Sequence, residues 1–264
     1  MSRENYKKSS RVRRFFVITG WIIIGASVIT GMYYLIIGMR YWVDRSAMFQ
    51  TAQVEISGLS ILTDADIKSR IGGTIPTGKK IFEIGLQPVK KSLQSHPYVK
   101  QVSLGKKFPN TVRIDIVERV PFAYISLDKV MLVDKEGCIL PKLAGRTLFE
   151  DLPVITGISC ADYRAGEILH DERILRAAAM LKIAHKNLPE LEKSISEIHF
   201  NSEGELAVFL NGSGVRIEFG TDGYEMKVEK LRYFLEFCEA HSIINSFEYI
   251  NLNYQDQVVV KNRI

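Results

Sequence analysis

Residues 96–121 read HPYVKQVSLGKKFPNTVRIDIVERVP, and this segment contains the clearest β-hairpin pattern in the chain. Residues 108–110, Phe-Pro-Asn, form a turn sequence between two runs in which apolar and polar residues alternate. The apolar members of the two runs are Val102, Leu104, Val112, Ile114 and Ile116. Because successive side chains of a strand point to opposite faces, a period of two is typical of half-buried strands. The segment therefore predicts a hairpin over residues 98–118.

The residues before this hairpin predict one strand and two short helices. An alternating run that ends at Gly58 is typical of a strand, and Thr63 with Asp66 three positions later has the pattern of a helix-capping pair. Pro88 fits the first turn of a second helix. With the hairpin, these elements give the order strand, helix, helix, strand, strand. We therefore predict a small α+β domain over residues 49–118, in which two helices cover one face of the sheet.

Residues 119–264 predict a second, β-rich α+β domain that begins at the Val120-Pro121 boundary. Apolar runs bounded by turn sequences indicate strands, and apolar residues at helical spacing indicate helices. The predicted strands cover residues 130–133, 138–141, 152–155, 195–200, 206–210 and 215–219, and the predicted helices cover residues 171–187 and 224–241. The chain closes with a predicted hairpin of residues 249–253 and 258–261. A terminal strand is often an edge strand, whose unpaired backbone groups are open to a partner.

A segment before both domains, residues 15–39, contains no Asp, Glu, Lys, Arg or His. A helix of this length reaches about 37 Å, which exceeds the ~30 Å hydrocarbon core of a bilayer, so we predict an uncleaved transmembrane helix. A cleaved signal peptide is the alternative, but its apolar region is shorter and no small-residue cleavage pattern follows closely. The excess of Lys and Arg in residues 1–14 predicts that this tail is cytoplasmic. Beyond a linker at residues 40–48, the rest of the chain then lies outside the cytoplasm.

The N-terminal tail also accounts for the net charge of the chain. The sequence has 35 Lys and Arg against 30 Asp and Glu. Residues 1–14 contain six basic residues and one acidic residue, so 29 of each sign remain in the rest of the chain. Because no basic excess is left to form a cationic face, a nucleic-acid-binding surface is not predicted.

The sequence contains none of the motifs that commonly carry catalysis or bind a cofactor. It lacks G-x-S-x-G, H-E-x-x-H and a phosphate-binding lysine loop. Residues 170–172, His-Asp-Glu, are interpreted as the polar start of a helix, and the other histidines are isolated. Cys138, Cys160 and Cys238 are far apart, so we expect three buried thiols, although one disulfide is possible outside the cytoplasm. We predict a scaffold or binding protein with no catalytic, cofactor-binding or metal-binding residues.

Several sequence features, in their order and spacing, resemble the FtsQ/DivIB family of bacterial cell-division proteins. Residues 96–121 resemble the end of the POTRA domain of that family. Three further motifs that resemble the family are LVDKEG at residues 132–137, LPVITG at residues 152–157 and YINLNY at residues 249–254. A basic tail and one anchor helix precede them, as in the family. The likeness covers essentially the whole chain, so it implies a single transmembrane helix, a βααββ POTRA domain and a β-rich α+β domain that ends in an edge-strand hairpin.

The resemblance implies a non-enzymatic scaffold of the division machinery. It implies a single-pass protein of the cytoplasmic (inner) membrane that lies at the division septum, links early and late division proteins and helps regulate septal peptidoglycan synthesis. It also implies binding to FtsB- and FtsL-type single-pass proteins, and to other proteins of the division machinery. In the family, an FtsB-type partner adds a strand to the last strands of the β-rich domain. The matching partner-binding residues are Tyr254, Asp256, Val258, Val259 and Val260.

The chain departs from the family pattern at two positions, and alternative interpretations remain. Asn251 stands where the family usually has Asp, and Asn253 stands where many members have an Arg that makes a charged contact with the partner. Val258 and Val260 are alternatively explained as residues of the sheet core. For the whole protein, the alternatives are a POTRA-containing chaperone of envelope secretion, which would usually carry several POTRA units, and a membrane-anchored cell-wall enzyme.

Overall fold

The computed structural model describes residues 4–45, 47–49, 53–72, 75, 80–143, 149, 151–160, 162–241, 246–255 and 257–263. Its α-helices are α1 (Glu4–Arg45), α2 (Asp64–Ile71), α3 (Leu86–Gln94), α4 (Glu172–Asn187), α5 (Pro189–Ser194) and α6 (Tyr224–His241). Its strands are β1 (Gln53–Ser57), β2 (Val99–Lys107), β3 (Thr111–Glu118), β4 (Pro121–Ser126), β5 (Val130–Asp134), β6 (Ile139–Leu140), β7 (Val154–Thr156), β8 (Ile195–Phe200), β9 (Leu206–Leu210), β10 (Arg216–Gly220), β11 (Phe247–Asn251) and β12 (Val259–Asn262). These strands form a three-stranded sheet and a nine-stranded sheet.

The predicted membrane helix is part of the longer helix α1. Residues Phe16–Val43 form a segment that is long and apolar enough to cross a membrane, and its apolar side chains are exposed. A helix that is apolar all round and exposed is consistent with a single-pass membrane anchor. α1 continues to Arg45, so residues 40–45 of the predicted linker are helical. No Gly or Pro interrupts the helix in that interval.

The small α+β domain has the predicted order of strand, helix, helix, strand, strand. Its sheet order is β1-β3-β2, so the first strand pairs with the last. Thr63 caps α2 as expected, because the Asp66 N–H donates to Thr63 Oγ1 at 3.3 Å and the Thr63 N–H donates to Asp66 Oδ2 at 2.8 Å. The helices bury apolar residues at helical spacing, which are Ile67, Ile71, Val89 and Leu93. The structure confirms the predicted fold of this segment.

Glu118, the last residue of β3, fixes the loop that leads into α2. One carboxylate oxygen accepts hydrogen bonds from the N–H groups of Ser60 at 2.8 Å and Ile61 at 2.7 Å, and the other accepts from the N–H of Leu62 at 2.8 Å. The Ser60 hydroxyl also donates to the first oxygen, Oε2, at 2.7 Å. Burial raises the pKa of the Glu118 carboxyl, but these hydrogen bonds outweigh burial, and its pKa lies below the ordinary value. Glu118 is therefore a charged acceptor for three backbone donors.

The nine-stranded sheet has the order β12-β11-β10-β9-β8-β7-β4-β5-β6. It is mixed, because β7 pairs in parallel with β4 and β8, and β10 pairs in parallel with β11. The sequence pattern predicted most of its strands but missed β4 and the short helix α5. Residues Phe122 and Ala123 of β4 are both buried, so the strand does not show a strict period of two. The predicted β-rich α+β domain is confirmed, with β12 at one edge.

Helices α4 and α6 contribute to the hydrophobic core of this domain. The fully buried residues of α6 include Leu231 and Cys238, and Phe234 and Leu235 pack against the same core. The α4 residues in this core are Ile174, Ala177, Met180, Leu181 and Ala184. His185, which follows Leu181 at helical spacing, lies outside this core: its side chain is 73% exposed and pairs with Glu192. It lies in the last turn of α4, where the following helix α5 supplies the Glu192 carboxylate.

Two glycines of the family-like motifs occupy positions that only glycine fits. Gly157 has φ +79°, and a Cβ atom there would lie 1.8 Å from the Phe200 carbonyl oxygen. Gly137 has φ +84°, and a Cβ atom there would lie 2.7 Å from the Leu169 carbonyl oxygen. In the same turn, Asp134 Oδ1 accepts from the Cys138 N–H at 2.8 Å. These motifs therefore have structural roles in the turns after β5 and β7.

The chain divides into two compact units. The first comprises Met1–Glu55, Pro76–Ile84 and Gly105–Arg113, and the second comprises Ile56–Ile75, Gly85–Leu104 and Ile114–Ile264. Within the first unit, the Phe82 ring contacts the rings of Phe49 and Phe108, with centroid distances of 5.5 and 5.3 Å. The second unit contains β12 and α6, so the candidate site below lies within one unit.

Candidate functional site

The C-terminal strand β12 is an edge of the nine-stranded sheet, as the sequence predicted. Within the described part of the chain, its one strand neighbour is β11, with which it pairs antiparallel. In the register of this pair, Val259 lies opposite Asn251, Val260 opposite Ile250 and Lys261 opposite Tyr249. The other side of β12 has no strand beside it among the described residues, so its backbone groups there are open to an added strand.

The direction of the backbone groups in β12 follows from one hydrogen bond just after the strand. The Arg263 N–H donates to the Ser246 carbonyl at 2.6 Å and therefore points towards β11. Because N–H groups alternate in direction along a strand, those of Lys261 and Val259 also point towards β11. The N–H groups of Val260 and Asn262 point to the open edge. These two residues therefore direct their backbone donors away from β11.

The valines of the predicted site lie on different faces of the sheet. Val258 and Val260 are half-buried and pack against the hydrophobic core, which agrees with the alternative interpretation of their side chains. Val259 and Lys261 lie on the opposite face by alternation. Lys261 Nζ pairs with Glu248 Oε2 at 2.6 Å, and this hydrogen bond raises the pKa of Lys261 above its ordinary value. The open edge of β12 is thus a backbone feature, whereas the side chains of Val260 and of Val258, just before the strand, already have core contacts.

Tyr254 lies in the turn between β11 and β12, and its side chain is 52% exposed. The predicted residue Asp256 lies outside the described residues. The turn is held by Lys230 of α6, whose ammonium group donates to the carbonyls of Leu252 at 3.4 Å, Tyr254 at 2.5 Å and Gln255 at 3.1 Å. Lys230 has no signal in the sequence, because a lysine on an amphipathic helix gives no indication of a contact more than twenty residues away.

The two departures from the family pattern have local structural explanations. The Asn251 side-chain amide donates to Glu218 Oε2 at 2.5 Å across the β10–β11 pair, and its Oδ1 accepts from the Asn253 N–H at 2.9 Å. An aspartate at position 251 would place two carboxylates in contact. At position 253, Lys227 Nζ donates to the Asn253 Oδ1 at 3.1 Å, and burial lowers the pKa of Lys227. A cation of helix α6 thus contacts the Asn253 side chain.

We expect the substitution Asn251→Asp to destabilise the protein by about 2 kcal/mol at pH 7. It replaces a hydrogen bond to a charged acceptor with repulsion between directly opposed carboxylates. Thermal unfolding of the full chain measures the effect. The matched control is the double variant Asn251→Asp with Glu218→Gln, which restores a donor and should recover most of the loss. A single variant as stable as the unmodified chain would contradict the pairing of Asn251 with Glu218.

The remaining candidate groups have structural partners. Asp171 caps α4 by accepting from the Arg173 N–H at 2.9 Å, and the Arg173 side chain lowers the pKa of Asp171, which agrees with its interpretation as a helix start.

Cys138 and Cys238 are buried free thiols, whereas Cys160 is partly exposed, so the expectation of three buried thiols was wrong for Cys160. Cys160 lies in the loop between β7 and α4, away from the sheet core. Among the described residues, no group of three or more His, Cys, Asp or Glu side chains is arranged to hold a metal ion.

Two family models match consecutive parts of the chain. The model described as "POTRA domain, FtsQ-type" matches residues 49–119, and the model described as "Cell division protein FtsQ/DivIB, C-terminal" matches residues 123–253. The first match contains the small α+β domain, and the second contains most of the nine-stranded sheet. The second match ends before Tyr254, so the turn and β12 lie beyond it.

Curated relatives are similar to the chain over most of its length. "Cell division protein FtsQ" of Geotalea daltonii is 29% identical over 248 residues, which cover 92% of this chain and 86% of the relative. "Cell division protein FtsQ" of Geobacter sp. strain M21 is 24% identical over 220 residues, which cover 83% and 78%. "Cell division protein DivIB" of Clostridium tetani is 29% identical over 205 residues, which cover 76% and 74%.

These matches agree with the fold in order and extent. A long apolar helix is followed by a βααββ domain and then by a mixed sheet, and the two family models match these folded domains in that order. The relatives extend the similarity across both domains. The chain belongs to the FtsQ/DivIB family of cell division proteins.

Proposed function

We propose that this protein is a scaffold of the bacterial division machinery that acts by binding other proteins and has no catalytic activity of its own. It links early and late division proteins at the septum and helps regulate septal peptidoglycan synthesis. Its partners are FtsB- and FtsL-type single-pass proteins. The names of the relatives support a role in cell division, and the family resemblance supports the finer assignment of partners.

The open edge of β12 is the observation that carries this proposal. Val260 and Asn262 direct their N–H groups away from β11, at an edge where the described residues supply no acceptor. A partner segment in extended conformation would satisfy these donors by adding a tenth strand to the sheet. Tyr254, which follows β11 and is 52% exposed, would add side-chain contacts to the same partner. Main-chain bonds would supply affinity, and neighbouring side chains would supply specificity.

The proposed topology places this edge where single-pass partners are present. Helix α1 anchors the chain, the basic residues 1–14 stay in the cytoplasm, and β12 lies on the other side of the membrane. A tethered partner meets the edge at a raised effective concentration, because both proteins are confined to the same membrane.

The proposal is tested with the full chain in nanodiscs, mixed with FtsB- and FtsL-type proteins from the same organism. We expect co-capture of these partners, and depletion of the protein in its host should give filaments without septa. A peptidoglycan turnover assay of the same sample should show no product. Normal septation after depletion would contradict the division role, and turnover of peptidoglycan would contradict a purely binding role.

A further inference from the structure

The turn that connects β11 to β12 is fixed by a lysine of helix α6. The Lys230 ammonium has three N–H donors, and three carbonyl oxygens of the turn lie at hydrogen-bond distance: Leu252 at 3.4 Å, Tyr254 at 2.5 Å and Gln255 at 3.1 Å. No carboxylate of the described residues forms an ion pair with Lys230, so its charge is directed at these carbonyls. Charge-assisted hydrogen bonds of this kind are stronger than neutral ones.

Helix α6 is a rigid support for this contact. The adjacent residue Leu231 is fully buried in the core, as is Val228, so α6 is held against the sheet. Lys227, one turn before Lys230, donates to the Phe219 carbonyl at 2.8 Å and to Asn253 Oδ1 at 3.1 Å. Two lysines of one helix therefore contact both β10 and the residues that follow β11. The carbonyls of Leu252, Tyr254 and Gln255 are therefore held from α6.

We propose that Lys230 is a positioning residue for partner capture, an inference that rests on the proposed function of β12. By holding the turn in one conformation, Lys230 orders β12 before the partner arrives. An edge strand that is already ordered loses less conformational freedom on binding, and affinity rises accordingly. Lys230 itself does not contact the partner strand in this account, because its three donors are occupied by carbonyls of its own chain.

The test compares the full chain in nanodiscs with the variants Lys230→Met and Lys230→Arg, using an FtsB-type protein as the probe. Lys230→Met keeps the length of the side chain but removes the donors, and we expect about a tenfold loss of affinity. Lys230→Arg keeps the charge and donors and should recover most of the affinity. Lys186→Met, at an exposed lysine of α4, is the matched control and should leave affinity unchanged.

Backbone amide exchange separates positioning from a general loss of stability. In Lys230→Met, the amides of β12 should exchange faster, while those of β8 and β9 exchange as in the unmodified chain. Equal acceleration throughout the sheet, or unchanged affinity of Lys230→Met, would overturn the inference. If Lys230→Met binds normally but a β12 variant does not, the proposed function stands and only the role of Lys230 is lost. If the unmodified chain does not bind the probe at all, the proposed function itself fails.

Discussion

The substitution Val260→Pro is expected to reduce partner affinity about 100-fold while the protein remains folded. The Val260 N–H points to the open edge of β12, so a proline there removes a donor that the partner strand needs and places its ring against that strand. A lost ladder bond and a steric clash cost about 3 kcal/mol together, which corresponds to about two factors of ten in affinity. The pairing of β12 with β11 is kept, because Val260 does not donate to β11.

Binding of an FtsB-type protein to the full chain in nanodiscs measures this effect. Val260→Ile is the matched control, because isoleucine is apolar and β-branched like valine, keeps the N–H and should bind nearly as well. Val259→Pro is a second comparison: its N–H points towards β11, so this variant should weaken the β11–β12 pair itself. Equal affinities of Val260→Pro and the unmodified chain would contradict strand addition at this edge.

The substitution Glu118→Gln is expected to lower the free energy of unfolding by about 3 kcal/mol at pH 7. Three N–H groups and one hydroxyl donate to the carboxylate, and Glu118 is only 8% exposed. A glutamine offers one neutral acceptor in place of two charged oxygens, and its own amide donors face the backbone donors of the loop. Urea unfolding of the full chain in detergent micelles measures the difference. Glu203→Gln, at an exposed turn residue, should change stability by less than about 0.5 kcal/mol.

The difference between Glu118→Gln and the unmodified chain should depend on pH. The pKa of Glu118 in the folded protein lies below its ordinary value of 4.5, so its charged form stabilises the fold. This contribution is fully present above pH 4.5 and is lost as the pH falls through the lower pKa of the folded state. The difference in the free energy of unfolding between the two proteins should therefore be largest at neutral pH and should disappear in acid. A gap that stays constant down to pH 3 would contradict the role assigned to the Glu118 charge.

The element order and the edge position of β12 were predictable from the sequence, because both depend on local patterns. The hairpin at residues 98–118 and the capped helix after Thr63 are encoded by alternation and by a side chain three positions away. Residues 258–261 were predicted as the last strand of a hairpin, and such a strand is often an edge strand. Elements that are determined by residues close together in the chain can thus be predicted from a single sequence.

Long-range contacts were not predictable in the same way. Lys230 contacts a turn more than twenty residues away, and Glu118 accepts hydrogen bonds from a loop 56 to 58 residues earlier. Neither contact has a signal in the sequence, because lysine and glutamate residues lie mostly on exposed surfaces. β4 was missed for a related reason: adjacent residues of this interior strand are both buried, so strict alternation is absent.

The most direct test of strand addition at β12 is residue-resolved amide exchange of the full chain in nanodiscs, with and without an FtsB-type protein. In the free protein, the amides of Val259 and Lys261 should be protected by β11, whereas those of Val260 and Asn262 should exchange rapidly. On binding, Val260 and Asn262 should become protected as the partner strand pairs with the edge. Binding that leaves the exchange of Val260 and Asn262 unchanged would contradict the account.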